Sequence, residues 1–275
     1  MNRALDARAH EAISGDETPI FLATMDRHGR PNCVPVITIL PFEDDKLIFG
    51  DFMMNKTRRN LEEEPRVGVA VFSQALEGWS IKGTFLGFET KGKRVDFMNN
   101  TPAFRYNAYT GVRAAGLIRI DDVSTRMTAA KWRMPGYYLR AKAHAVLRKH
   151  TLPGGRCMPH QVEDKFGRLS AIRALAFKDS DGFPRTFPML ACFSAGPERL
   201  ALSDPFLDHY KAGIPAQGEV AVCVLTSEAI SYQVKGRYIE RGRRTSIIQL
   251  TDCYNASPPL VGDRLNIPSA AMPRR

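Results

Sequence analysis

The chain has 275 residues, enough for one large domain or two of ordinary size. With 44% apolar and 25% charged residues it has the composition of a folded globular protein, not of a disordered tail, a collagen-like repeat or a disulfide-framed miniature. Thirty-nine basic against 29 acidic residues give a net charge of +10, which favours anionic partners.

The opening residues, MNRALDARAHEAIS, lack the apolar centre of a secretory signal. No apolar run approaches the roughly 20 residues of a membrane span. A cytoplasmic protein without membrane contact is expected. Its five cysteines are odd in number, and Cys33, Cys192 and Cys223 sit in strand-like apolar runs, so reduced, buried thiols are expected.

In chain order, LDARAHEAIS reads as a short helix, followed by the apolar runs FLATM, NCVPVITIL and KLIFGDF as strands. Asp26-Arg27-His28-Gly29 supplies a hairpin turn in which Gly29 accepts positive φ. A helix is predicted over 57–64, stopped by Pro65, and then strands at VGVAVF and WSIKGTFLGFE. Residues 93–115 carry aromatic, Asn and Pro residues suited to a helical excursion or lid, with Phe97, Phe104, Arg105, Tyr106 and Tyr109 as its contacts. The strand LIRI follows. From Ser124 to Val162 there is no acidic residue but eight basic ones, a stretch expected to be a basic linker. A second short helix near VEDKFGRLSA opens a further series of strands.

That second series repeats the first. Asp26, Gly29, Pro31 and Pro35 correspond to Asp179, Gly182, Pro184 and Pro188, an offset of 153 each time. At the same offset Val67, Val69 and Val71 meet Val220, Val222 and Val224, and Lys82-Gly83 meets Lys235-Gly236. Residues 22–83 hold thirteen such identities without a gap, where chance would give about four on average amino-acid usage. GLIRIDDV (116–123) then matches SIIQLTDC (246–253) at an offset of 130, so the first copy carries 23 extra residues, 153 less 130. Many short antiparallel strands with few helices imply two barrels or sandwiches packed together.

The residues Asn55-Lys56-Thr57, Asn60-Leu61, Pro65-Arg66-Val67-Gly68-Val69 and Gly78-Trp79-Ser80-Ile81-Lys82-Gly83, in this order, resemble the FMN-binding split barrels. That is the family of pyridoxamine 5′-phosphate oxidase and the small FMN-binding proteins. The resemblance implies a mainly β fold: two antiparallel six-stranded split barrels with short helices, packed as a pseudo-dimer within one chain. Expected boundaries are 1–127 for the first barrel, 128–162 for the basic linker and 163–275 for the second barrel. Higher assembly is left open.

Residues 53–61 open a helix after a strand, where Asn55 can cap and a helix N-terminus favours an anion. Basic Lys56 and Arg58 oppose the helix dipole there, which a bound anion would explain. The resemblance places the FMN phosphate at Lys56 and Thr57. In the second copy the same positions are Asp208, His209, Tyr210 and Lys211, so that cradle is degraded and one FMN per chain is expected. Released from phosphate binding, His209, Tyr210 and Arg185 are candidates for catalytic or substrate contacts. The resemblance also places residues 31–36 beside the flavin ring, with Asn32 and Thr38 as polar contacts. Trp79 and Lys82 are further candidate cofactor contacts, although Lys235 repeats Lys82 and an interface ion pair suits it equally.

His150, Cys157 and His160 have metal-type side chains without a recognised spacing, and no metal site is expected. Walker-type and GxGxxG loops are absent, so a nicotinamide is expected only as a transient reductant. The leading function is an FMN-dependent oxidoreductase acting on a small, anionic, organic molecule. The alternatives are a non-catalytic flavin, deazaflavin or haem carrier for electron transfer or sensing, with His144, His150 or His209 as haem ligand. A weaker one is nucleic-acid binding through the linker, with Trp132, Tyr137 and Tyr138 as stacking residues.

Overall fold

A computed structural model of the chain describes residues 3–15, 18–52, 54–101, 111–148, 157–240, 245–257 and 261–265. The first half begins with α1 (Ala7–Ser14), capped by Asp6, whose carboxylate accepts the Ala9 N–H at 2.6 Å. Its strands are β1 (Ile20–Met25), β2 (Pro31–Pro35), β3 (Leu40–Phe42), β4 (Lys46–Gly50), β5 (Arg66–Phe72), β6 (Glu77–Glu89), β7 (Ala115–Val123) and β8 (Met127–Thr128). Helix α2 (Asn55–Glu63) follows β4, and α3 (Lys93–Asn99) follows β6. The second half comprises α4 (Met134–Arg148), α5 (His160–Gly167), β9 (Ile172–Lys178), β10 (Pro184–Met189), β11 (Cys192–Ser194), β12 (Arg199–Leu202), α6 (Pro205–Tyr210), β13 (Glu219–Leu225), β14 (Ser231–Glu240) and β15 (Ser246–Asn255).

Both halves have one topology. The first sheet runs β2-β1-β5-β6-β7-β4-β3 and the second β10-β9-β13-β14-β15-β12-β11. Registers repeat with the sequence: Leu22 faces Val69 as Leu175 faces Val222, and Leu47 faces Ile118 as Leu200 faces Ile248. The β6–β7 ladder shifts register between Lys82 and Gly83, and β14–β15 shifts between Lys235 and Gly236. Here a Cβ on Gly83 would come within 2.7 Å of the Arg119 carbonyl oxygen, and one on Gly236 within 2.2 Å of that of Gln249, so glycine is sterically required at both.

Each sheet has one more strand on its main path than the expected six. The predicted strand NCVPVITIL breaks after Pro35 into β2 and β3, with a turn at Ile37 and Thr38 between them. Helix α2 begins two residues before its predicted start. The stretch expected as a linker contains α4, fifteen residues long, which packs Ala141 and Ala145 against Phe193 and Ala201 of the second sheet. Tyr138 leans on Phe193 and the Tyr137 hydroxyl donates to Asp208 at 3.1 Å, so of the three stacking candidates Trp132 is the exposed one, with Arg133 4.7 Å from its ring. His150 lies outside the described residues. Cys157 is half-buried, His160 opens α5, and no metal-binding cluster exists among the described residues. No helix of the described residues is long and apolar enough to cross a membrane.

Strand alternation sends one face of every strand inward and the other outward. In the first half Leu22, Val34, Phe49, Val69, Trp79, Ile81 and Ile118, from six different strands, converge on one interior. The outward faces of β1, β2 and β5 are also buried, because they meet the second half. Phe21, Ala23, Cys33 and Ala70 pack there against Ala174, Ala176, Ala221 and Cys223. Apart from Phe21 these side chains are small and let the sheets approach closely; a Cβ on Gly68 would clash with the Pro184 carbonyl oxygen. All five cysteines are free thiols, and burial pushes Cys33 up to about 12, as expected for an inert seam residue.

The seam is tied by charge as well. Lys82 is 5% exposed, and its ammonium donates to Asp179 at 2.7 Å and Asp181 at 2.5 Å across the two halves. Arg185 adds a bond to Asp179 at 2.7 Å. Burial opposes ionisation of Asp179, but the bonds from Lys82 and Arg185 outweigh it and hold its carboxyl at about 2. A carboxylate depressed on folding stabilises above its unfolded value, near 3.8, and loses that contribution as pH falls toward 2. The expected result is that wild type exceeds Asp179→Asn by about 2 kcal/mol at pH 6, and that urea midpoints converge by pH 2. A constant gap across that window would show that Asp179 does not titrate with folding.

Candidate functional site

A groove of about 270 Å³ opens along the seam. One wall comes from the first half: Val34 to Thr38 at the end of β2, Gly50 at the end of β4 and Phe52 after it, and Met54 and Thr57 at the start of α2. The other wall is Leu225, Ala229, Ser231, Ala256 and Val261 of the second half. The lining is mostly apolar, with the hydroxyls of Thr38, Thr57 and Ser231 as polar points, the make-up of a small-molecule site.

The backbone donors at the edge of this groove also differ between the halves. In the second half the N–H groups of Leu190 and Ala191 both donate to the buried Asp204 carboxylate, at 2.6 and 2.8 Å. Their counterparts at the 153 offset, Ile37 and Thr38, line the groove, and their N–H groups have no acceptor among the described residues. The reason lies in Asp51, the counterpart of Asp204. Its carboxylate instead accepts from Arg58 at 2.7 Å. The same switch changes the helix start. Asp204 caps α6 through the Phe206 N–H at 2.9 Å, whereas α2 has Met54 at its N-cap and no side-chain cap bond. A helix start without an internal acceptor, beside an open groove, is a ready anion seat.

The equivalent groove on the other side is filled. Val34 becomes Phe187, Thr57 becomes Tyr210, Leu225 becomes Phe72 and Ala229 becomes Leu76, each larger than its counterpart. Phe187 and Tyr210 stack with centroids 4.8 Å apart, Phe72 meets Phe206 at 6.0 Å, and these residues belong to one buried core with Met189 and Leu190.

The candidate residues therefore separate into three groups. Thr57 and Thr38 line the groove; the Thr38 hydroxyl donates to the Gly50 carbonyl at 3.4 Å and accepts the Gly50 N–H at 3.2 Å. Lys56 lies beside them, half-buried, with its ammonium 4.0 Å from the centre of the Tyr254 ring; burial lowers its pKa. Asn55 does not cap α2. It is the first helical residue, exposed, and its side chain accepts from Arg113 at 3.4 Å. Arg58 needs no anion to explain it, because Asp51 and Glu62 neutralise it and Phe88 stacks against it at 4.4 Å.

The remaining candidates do not line the groove. Trp79 points into the first core, with 0% exposure, because strand alternation puts it on the inner face. Lys82 is held by Asp179 and Asp181. Asn32 is buried in the seam and accepts from Gln233 at 3.0 Å. Arg185 is bound to Asp179 and lies 5.4 Å over the Tyr210 ring; Tyr210 fills the second groove, and His209 is exposed on α6 beside it. In the insert, α3 packs Val95 and Met98 onto Ile48 and Leu117, and Phe97 meets Phe42 at 5.6 Å. Phe104, Arg105, Tyr106 and Tyr109 lie outside the described residues. Ile37, Leu225, Ala229 and Ser231 escaped sequence reasoning; for the last three the size differences from Phe72, Leu76 and Gly78 were the available signal, while Ile37 and Leu190 are of equal size.

Residues 6–133 match the family model described as pyridoxamine 5′-phosphate oxidase. No curated protein matches the chain. Among solved structures the chain is similar to an FMN-binding protein from Syntrophomonas wolfei, at 18% identity over 44% of this chain and 85% of that one, with a TM-score of 0.38. It is similar to HupZ of Group A Streptococcus, at 18% identity over 46% and 100% of the two chains and a TM-score of 0.38. HutZ, the haem storage protein of Vibrio cholerae, gives 16% over 45% and 95%, with 0.34. Residues 6–133, just under half of the chain, thus resemble the pyridoxamine 5′-phosphate oxidase family of split barrels, and the second half repeats that sheet strand for strand.

Proposed function

We propose that the groove binds one FMN per chain and that the protein is an FMN-dependent oxidoreductase acting on a small organic molecule. The observation that carries this reading is the contrast between the halves: one groove open with Ile37 and Thr38 N–H donors unengaged, its counterpart packed with aromatic rings. FMN supplies hydride or single-electron chemistry when bound. The chain supplies the seat. Thr57 and the uncapped start of α2, with the Lys56 charge beside them, suit a phosphate. The Ile37 and Thr38 N–H groups suit polar atoms at a ring edge, while Val34, Val36, Leu225 and Ala229 exclude water from its faces. A haem reading has less support, since no described histidine lines the groove.

Protein freed of ligand is expected to take up one FMN per chain, counted by absorbance and by mass spectrometry of the released ligand. Thr57→Ala removes a charge-assisted hydrogen bond and should weaken FMN about tenfold; His209→Ala should leave it unchanged. Two FMN per chain, or equal affinity in Thr57→Ala, would overturn this assignment. Turnover would appear as loss of flavin absorbance with a nicotinamide reductant and its return with an electron-accepting substrate.

A further inference from the structure

The pseudo-twofold relation between the halves gives every seam residue a counterpart, and one pair of counterparts has lost its symmetry. Lys82 is neutralised by Asp179 and Asp181. Its counterpart Lys235 occupies the same place just before the same register shift and is 7% exposed. The position of Asp181 is taken by His28, and the counterpart of Asp179, Asp26, bonds to Arg30 at 3.1 Å instead. Arg30 itself stands where the second half has Phe183. Among the described residues no carboxylate lies within ion-pairing distance of the Lys235 ammonium.

Lys235 instead lines a cavity of about 220 Å³, distinct from the groove, together with Arg30, Arg237, Thr251, Glu219 and Asp252. Lys56 approaches from α2: it sits 4.0 Å and Lys235 6.0 Å from the centre of the same Tyr254 ring. Asp252 is engaged by Arg264 at 2.6 Å. Leaving aside Lys56, which serves the groove, four basic residues (Arg30, Lys235, Arg237, Arg264) meet three acidic ones (Asp26, Glu219, Asp252), an excess of one positive charge. An unpaired, buried ammonium is costly unless something anionic accompanies it.

We propose that this cavity is a second anion site, separate from the flavin groove, which takes a phosphate-type dianion on Lys235, Arg30 and Arg237. Thr251 adds a hydroxyl donor at its wall. Burial first, and then the nearby Lys56 charge, push the Lys235 ammonium down to about 8, a strain that a bound dianion relieves. The site arises from three changes within one turn. His28, Arg30 and the diverted Asp26 remove the carboxylates that close the matching space around Lys82.

The test is calorimetric titration of inorganic phosphate into the full chain, once free of flavin and once saturated with FMN. Binding is expected in both states. Lys235→Met should weaken it at least tenfold, without lowering the thermal midpoint of the ligand-free protein, because an unpaired buried charge is being removed. His28→Asp, a change in an exposed turn, restores the carboxylate that Lys82 enjoys and should also weaken phosphate at least tenfold. Glycerol 3-phosphate, titrated in parallel, separates the sources: tighter binding than phosphate assigns the dianion to an organic monoester, equal binding to the free ion. Unchanged phosphate affinity in Lys235→Met, or phosphate binding abolished by FMN, would overturn the proposal. The flavin-free titration stands even if the groove takes no FMN.

Discussion

Thr57→Tyr combined with Ala229→Leu is expected to lower FMN affinity by about 100-fold or more, roughly 2.7 kcal/mol, with little change in thermal stability. Each substitution copies the residue that the other half already carries in the same backbone setting. Ala229 has φ 58° and its counterpart Leu76 has φ 60°, so the leucine meets no backbone strain that Leu76 does not already accept. Tyr210 shows that a tyrosine at the position of Thr57 turns inward and packs against the neighbouring strand at 4.8 Å. The variant would convert an open groove into core, so apolar burial compensates for any local adjustment. Flavin titration against urea and thermal unfolding decides the matter. Retained FMN binding in a folded double variant would mean that the flavin lies elsewhere.

Lys82→Met should destabilise the protein by about 3 kcal/mol, the lower end of what removing one partner of a buried ion pair costs. Asp179 keeps Arg185, which limits the loss, and Asp181, 45% exposed, stays hydrated. Adding Asp181→Asn to Lys82→Met should therefore change the loss little, because the exposed carboxylate carries no large desolvation cost. If Lys82→Met unfolds at the wild-type urea midpoint, the pair contributes nothing net. The same substitution at Lys235 is expected to carry no such cost, so two residues aligned by sequence are separated by one experiment.

Much of the architecture is legible in the amino-acid sequence. Thirteen identities at one offset revealed the two halves, and Asp-x-x-Gly turns between apolar alternations located β1–β2 and β9–β10. The position of the site was legible in part. Thr57 and Thr38 line the groove, yet Trp79, Lys82 and Asn32 do not, because the face that a strand residue presents to its own core or to the other half depends on how the sheets pack. The loss of Lys-Thr at 209–210 was visible, but its meaning was not. Tyr210 reads as a chemical group in the sequence, whereas the structure uses it as volume. Arg58 shows the same limit, since Asp51, seven residues earlier, satisfies it only once strand and helix are folded against each other.

The two walls of the groove lie more than 160 residues apart but belong to one polypeptide. Dilution cannot separate them into different chains, as it can when such a groove is shared between subunits, so the binding constant measured at nanomolar protein should equal that at micromolar. Tethering also breaks the rule that a mutation in a symmetric dimer strikes both sites at once. One wall can be altered while its counterpart stays untouched, a freedom already spent on Phe187 and Tyr210 in one half and on His28 and Arg30 in the other.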